Sequence, residues 1–338
     1  MNLPFAHGTP PATALLRQSA EDFQVEEQLG YEPDGDGEHL WLWIEKRGIN
    51  TEQVARQMAR LAQVRPADVG YAGLKDRHAL TRQWFSLPVR TAGAAPALTG
   101  GEGWHVLRAE RARRKLRRGG LRGNRFVITL REVRGERSAI DARLRVIATR
   151  GVPNYFGAQR FGHDNLVRAE AMARGELRVR DRHLRGLYLS SLRSALFNAV
   201  LARRVGEGNW DGTLPGEALN LDGSRSFFVA EALDAAIAHR LAAWDVHPTG
   251  PLWGQGVPPC RDEALAVEQA VVAACPATWR DACAQAGMEQ ERRPLRLAVR
   301  GLRWSWGDEA RLCLEFSLSA GAYATAVVRE LAETERPS

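Results

Sequence analysis

Lysine is almost missing: only Lys46, Lys75 and Lys115 occur, so the 47 basic side chains are nearly all arginine. Guanidinium groups grip phosphate through two parallel hydrogen bonds, so the positive charge is of a kind suited to polyanions. Cysteine is also sparse. Cys260, Cys275, Cys283 and Cys313 form no C-x-x-C pair and have no histidine at ligand spacing, which excludes a zinc or disulfide framework and predicts free thiols in a reducing compartment. No apolar run reaches about 18 residues, and the start lacks a charged leader followed by an apolar stretch of about 7–15. A cytoplasmic chain, neither secreted nor membrane-spanning, is the expectation. No G-x-x-x-x-G-K-[ST] occurs, which removes a P-loop NTPase. The G-x-G fragments at 35, 101, 206 and 254 lack the third glycine of a dinucleotide fingerprint, and no H-x-E accompanies a P-C-x-x-C, which argues against a zinc nucleobase deaminase. Repeats of about 20–50 residues are absent as well.

What is present is ordinary in bulk and unusual in charge. The chain has 338 residues, 44% hydrophobic and 26% charged, enough to bury at least one large core. At roughly 150 residues per domain, its length suggests two domains or one domain with an insertion. Arginine and lysine exceed acids to give a formal charge of +7, so RNA, DNA or an acidic membrane surface would suit it as partner.

Hydrophobic periodicity gives the organisation. Phe23 to Glu27 alternates, residues 30–38 read as an acidic turn, and HLWLWIE at 39–45 is apolar on both faces, the pattern of a buried strand. Val54, Met58 and Leu61 recur at helical spacing behind an Asn50 and Gln53 capping pair, which predicts a helix over 51–63. Strands are expected at 105–113 and 125–133 and a helix from Ser138 to about Gly151. A helical stripe runs from Leu184 through Leu192 to Val200, after which little strand signal appears until about 295. Leu312, Leu314, Phe316 and Leu318 then alternate, and a last helix is expected at 323–332. Strand character that fades and returns predicts an α+β protein whose mixed sheet is interrupted by an insertion of about 115 residues.

Four stretches carry candidate chemistry. Between 108 and 125 lie nine basic side chains and one acid, with Gly119, Gly120 and Gly123 allowing close backbone approach, a pattern for nucleic-acid backbone contact that reads no base identity. Gly73-Leu74-Lys75-Asp76 sets a carboxylate beside cations, which favour its ionised form and suit a nucleophile or electrostatic stabiliser. The plain alternative there is a surface salt-bridge loop. His78 is read as a loop residue rather than a base. VPNYFGAQRFG at 152–162 interleaves aromatics with amides and arginine, a set able to stack a splayed base and read its edge, or to form a tight turn on an aromatic core. Asp34, Asp36 and Glu38 hint at calcium, but the spacing is wrong for a twelve-residue calcium loop. No metal site is expected.

In order along the chain, EDFQVEE (21–27), GYAGLKDRHALTRQWF (70–85), RRKLRRGGLRGNRF (113–126), VPNYFGAQRFG (152–162), YLSSLRSALFN (188–198) and AGAYATAVVREL (320–331) resemble the tRNA pseudouridine synthase D (TruD) family over nearly the whole length. The resemblance implies isomerisation of a tRNA uridine, usually uridine-13 in the D arm, without cofactor. It implies a discontinuous pseudouridine synthase domain (1–179 and 298–338) around an α/β TRUD insertion domain (180–297). Asp76 matches the family's catalytic aspartate, and Phe23, Asn154 and Phe156 match contacts to the target uridine. Tyr323 stands where a Phe is also found, and Arg17 where many members carry Lys. Arg17 or Lys75 would be the cation near Asp76, and Arg113, Arg114, Lys115, Arg117, Arg118 and Arg122 would hold the RNA backbone. The partner is tRNA and a monomer is expected. Two rivals stay open: a catalytically lapsed tRNA-binding protein or RNA chaperone, and a glycosylase that releases the base.

Overall fold

The computed structural model describes residues 3–89, 98–162, 164–308 and 310–335. The chain divides into two compact units. One, the sheet unit, holds Pro11–Ile140, Val299–Gly321 and Ala332–Ser338; the other, the helical unit, holds Met1–Pro10, Asp141–Ala298 and Ala322–Leu331. The segment 180–297 lies wholly inside the helical unit. No helix among the described residues is long and apolar enough to cross a membrane.

The sheet unit is built on a mixed sheet of eleven strands among the described residues. Its main order runs Arg300–Gly307, Arg311–Ser319, Gly123–Arg134, Phe23–Gln28, Leu80–Pro88, His39–Lys46, Trp104–Ala112, Gly100–Gly101. Phe23–Gln28 pairs parallel with Leu80–Pro88 and antiparallel with Gly123–Arg134. Ala12–Leu16 joins one side, parallel to Ala332–Glu335. His39–Lys46 is apolar on both faces because both are covered. Leu40, Leu42 and Ile44 pack on Val54 and Met58 of the helix Thr51–Leu61, whereas Trp41 packs with Trp84 and Leu116. Each such side chain, when fully buried, contributes about 1.5–3 kcal/mol before entropy. The helix begins as its sequence implies: the Gln53 side chain accepts the Asn50 N–H at 3.1 Å.

In the helical unit, Arg182–Gly206 runs through the centre and buries Leu192, Ala195, Leu196 and Val200 against Asn165–Ala173, Asp262–Ala274 and Ala277–Gln285. Here the structure corrects the sequence reading. The region after 200 holds a four-stranded sheet, Phe227–Val229, Ala218–Leu221, Val246–Leu252 and Glu291–Pro294 in that order. Its strands carry Pro248, Gly250, Pro251 and Pro294, residue types depleted in strands, so propensity hid them. Gly250 has a packing reason: a Cβ there would lie 2.8 Å from Leu295 Cδ2 and 3.1 Å from the Phe197 ring. The edge strand Arg300–Gly307 is likewise absent from the sequence reading, although Leu302, Trp304 and Trp306 alternate along it as its half-buried face between exposed residues.

Candidate active site

The Asp76 loop is fixed by contacts on every side. Thr51 Oγ1 accepts the Lys75 N–H at 3.0 Å and donates to Gln83 Oε1 at 3.0 Å, while Gln83 Nε2 donates to Gly73 O at 3.1 Å. Gly48 N–H donates to Arg77 O at 3.2 Å, and Arg77 Nε donates to Gly48 O at 3.0 Å. Gly70, at the loop's start, cannot be another residue without movement: a Cβ would sit 2.4 Å from Ser86 Oγ and 2.5 Å from Leu116 O. Asp76 Oδ1 accepts the His78 N–H at 2.9 Å, so His78 serves the loop through its backbone, and its side chain is exposed. The other oxygen, Oδ2, pairs with Arg17 Nη1 at 3.1 Å, with the Asp76 side chain 19% exposed.

The structure thereby separates the two cations considered for Asp76. Arg17 makes the contact. Lys75 instead turns inward, where its ammonium meets Glu27 Oε1 at 2.9 Å with side-chain exposures of 4% and 0%. Glu27 Oε2 also accepts the Trp84 N–H at 3.1 Å, so the pair ties the Asp76 loop to two adjoining strands. Arg17 stands at φ 64°, a left-handed turn directly after Ala12–Leu16, and its guanidinium lies 4.0 Å over the Phe23 ring.

Phe23 is held by its own neighbours. Its ring meets Phe126 edge-on, and Phe126 stacks on Phe316 across the paired strands. The preceding Asp22 is buried. Burial would push its carboxyl up, but the bond from Arg131 and the Ser19 N–H at 2.9 Å outweigh it, leaving Asp22 below the usual range.

The helical unit holds a second cluster. Asn154 and Phe156 lie in the bend after Val152–Pro153. Asn198 grips Phe156 from both sides of its backbone, accepting its N–H and donating to its carbonyl, each at 2.9 Å. The Phe156 ring meets Phe197 and Tyr323 edge-on, with Arg293 4.1 Å over one face and Arg160 at 5.0 Å. Arg293 Nη2 donates to Asn154 Oδ1 at 2.6 Å, and Asn154 Nδ2 donates to Pro294 O at 2.9 Å. Burial lowers the Arg293 guanidinium to about 10. A cavity of about 430 Å³ beside this cluster is lined by Tyr155, Phe156, Phe161, Leu166 and Thr325, among others.

Two members of this cluster were missed from sequence. Arg293 is one arginine among many and carried no signal. Asn198 did: with Ser191 and Ser194 it lies among apolar side chains on the buried face of its helix, where a polar side chain needs a specific partner.

The basic stretch is less uniform than its sequence. Arg113 is bound to the acidic turn, its N–H on Asp34 and its guanidinium bidentate to Asp36 at 2.8 and 2.9 Å; the guanidinium hydrogen bond holds Asp36 below the usual carboxylate range. Asp34 and Asp36 are thus counter-charges to an arginine. Lys115 Nζ donates to Ala67 O at 2.6 Å, and Arg118 reaches Glu52 at 3.2 Å and lies over the Tyr71 ring. Arg114, Arg117 and Arg122 are exposed and pair with no carboxylate among the described residues. No group of three or more His, Cys, Asp or Glu that could hold a metal ion occurs among the described residues.

The sequence profile described as tRNA pseudouridine synthase D (TruD) matches residues 3–178 and 163–331. A tRNA pseudouridine synthase D of Nitrosococcus oceani is 50% identical over 335 residues, covering 97% of this chain and 93% of that protein. One from Pseudomonas aeruginosa is 50% identical over 344 residues, covering 99% and 96%. The crystal structure described as a tRNA pseudouridine synthase D from Methanosarcina mazei superimposes with a TM-score of 0.73, covering 98% of each chain at 20% identity, a likeness of fold.

Proposed function

The chain belongs to the tRNA pseudouridine synthase D family, and we propose that it isomerises the uridine at position 13 in the D arm of tRNA, with Asp76 as the reacting carboxylate. The observation that carries this reading is the Asp76 to Arg17 pair at 3.1 Å with the guanidinium laid on the Phe23 ring. It joins an acid, a cation and an aromatic face, which is what a detached pyrimidine needs to be held. The reaction breaks the N1–C1′ bond, turns the uracil, and bonds C5 to C1′. Nothing is gained or lost, so no redox partner or co-substrate enters.

A uridine stacked in a helix is out of reach of a carboxylate, so the nucleotide flips out. Asp76 then acts by adding to an electrophilic carbon or by taking a sugar proton. Its Oδ1 accepts the His78 N–H and its Oδ2 faces Arg17, so the direction of the carboxylate is fixed from both sides. Phe23 supplies a flat apolar surface for the base. Phe156 and Tyr323 supply aromatic edges and faces, and Asn154, oriented by Arg293, offers an amide able to read a pyrimidine edge. The Lys75–Glu27 pair serves the loop from beneath. Arg113, Arg114, Lys115, Arg117, Arg118 and Arg122 run along the RNA backbone, with the exposed Arg114, Arg117 and Arg122 contributing most. We assign residues 180–297 as the insertion domain and read the enzyme as a cytoplasmic monomer that uses no cofactor.

The test incubates the protein with unmodified tRNA and maps pseudouridine by carbodiimide block of reverse transcription. Wild type is expected to mark position 13, and Asp76→Asn to leave no mark while still binding tRNA. A mark of equal strength with Asp76→Asn would overturn the role of Asp76. Free uracil in the reaction would point to a glycosylase instead.

A further inference from the structure

Lys46 ends the strand His39–Lys46 and is 1% exposed, an unusual place for an ammonium without a carboxylate in contact. Its Nζ donates to three carbonyl oxygens: Ile49 at 3.0 Å, Lys75 at 3.4 Å and Asp76 at 2.9 Å. Two of these belong to the Asp76 loop, and one is the carbonyl of Asp76 itself. An ammonium has three N–H donors and no acceptor, so the three carbonyls match it one for one. A lysine in this position fixes where the Asp76 backbone sits without touching the carboxylate.

We propose that Lys46 is a positioning residue for Asp76, clamping the Lys75 and Asp76 carbonyls so that the carboxylate is presented in one orientation. The inference rests on the reading of Asp76 as the reacting group. The other charged groups nearby are already committed. Asp76 Oδ2 faces Arg17, Lys75 faces Glu27, and Glu45, the next residue along Lys46's own strand, faces Arg82 at 2.8 Å and His105 at 3.7 Å.

Titration gives the clamp a signature. Burial lowers Lys46 from 10.5 to about 8, with the Asp76 charge opposing and the Lys75 charge adding to the fall. Losing the proton leaves two donors for three carbonyls, so the loop loosens on the alkaline side. Global stability moves the other way. Between about 8 and 10.5 the unfolded chain holds more protons at this site than the folded one, so Lys46 adds stability as pH rises through that window. A clamp therefore predicts a falling rate where its own contribution to stability is rising.

The experiment measures single-turnover isomerisation of unmodified tRNA from pH 6.5 to 9.5, together with tRNA affinity, melting temperature and hydrogen exchange of the peptide covering residues 70–82. For wild type, the rate constant is expected to fall with a midpoint near pH 8 while affinity holds and Lys46's own contribution to stability rises. Lys46→Arg, which stays charged, should abolish that alkaline fall. Lys46→Met should lower the rate constant at least tenfold at pH 7, change affinity less than twofold, and speed exchange across 73–78. A flat wild-type profile to pH 9.5, or exchange and rate unaltered in Lys46→Met, overturns the proposal. So does a loss of rate matched by an equal loss of binding or accounted for by unfolding. The exchange arm requires no catalysis, so it separates failure of the clamp from failure of the assignment of Asp76.

Discussion

Arg17 shows how much a single side chain can be asked to do. Its guanidinium is shared between the Asp76 carboxylate and the face of Phe23, so it sets both the direction of the acid and the position of the ring. Arg17→Met keeps the length and apolar stem but removes the charge; the rate constant should fall at least tenfold, a cost of about 1.4 kcal/mol, with tRNA affinity changed little. Single-turnover kinetics beside filter binding checks this. Arg17→Lys should retain more activity, since an ammonium can pair with the carboxylate but cannot lie flat on the ring in the same way. Asn198 makes a different kind of contribution. Its side chain completes both backbone hydrogen bonds of Phe156 in a buried setting, so Asn198→Ala leaves a donor and an acceptor unmet. The expected loss is about 1–3 kcal/mol per unsatisfied group in chemical unfolding, with a raised KM for tRNA.

At the scale of elements, the Asp76 loop is held between strands by a buried ion pair rather than by apolar packing. Lys75→Met removes one partner and leaves Glu27 charged and buried, which should destabilise by about 3–5 kcal/mol in thermal unfolding. Combining it with Glu27→Gln should recover part of that loss, because the stranded charge is then gone. Full additivity of the two losses would show that the pair is not coupled. Most elements could be read from sequence wherever one face is buried and the other wet, as in Arg311–Ser319, or where a capping residue precedes a helical stripe, as in Thr51–Leu61. Val246–Leu252 could not, because its two prolines and glycine report tight packing rather than propensity. The site divides in the same way. Asp76 and Phe23 stood in legible motifs, whereas Lys46 looked like the polar end of a buried strand, and its carbonyl partners are backbone atoms that no sequence pattern displays.

For the molecule as a whole, the surplus of arginine is the relevant quantity, and the structure divides it into spent and available charge. Arg113 is committed to Asp36 and Arg118 to Glu52, while Arg114, Arg117 and Arg122 are exposed. Replacing those three together by glutamine should lower tRNA affinity and reduce the salt slope by about 2–3, whereas Arg113→Gln alone should change the slope by less than about 1. Affinity measured across a salt series decides between them. A slope unaltered by the triple replacement would take this loop off the RNA.

The order of motifs, the buried face of each periodic segment and the polyanion-seeking charge were determined by the sequence alone, because they depend on residue type and spacing along the chain. Which cation reaches Asp76, which turns inward to Glu27, which arginines are neutralised and which amide holds Phe156 were decided only by the tertiary structure. Those outcomes depend on distances of about 3 Å between residues up to 77 positions apart, as for Asp36 and Arg113, and charge pairing falls off with a separation that only the fold defines.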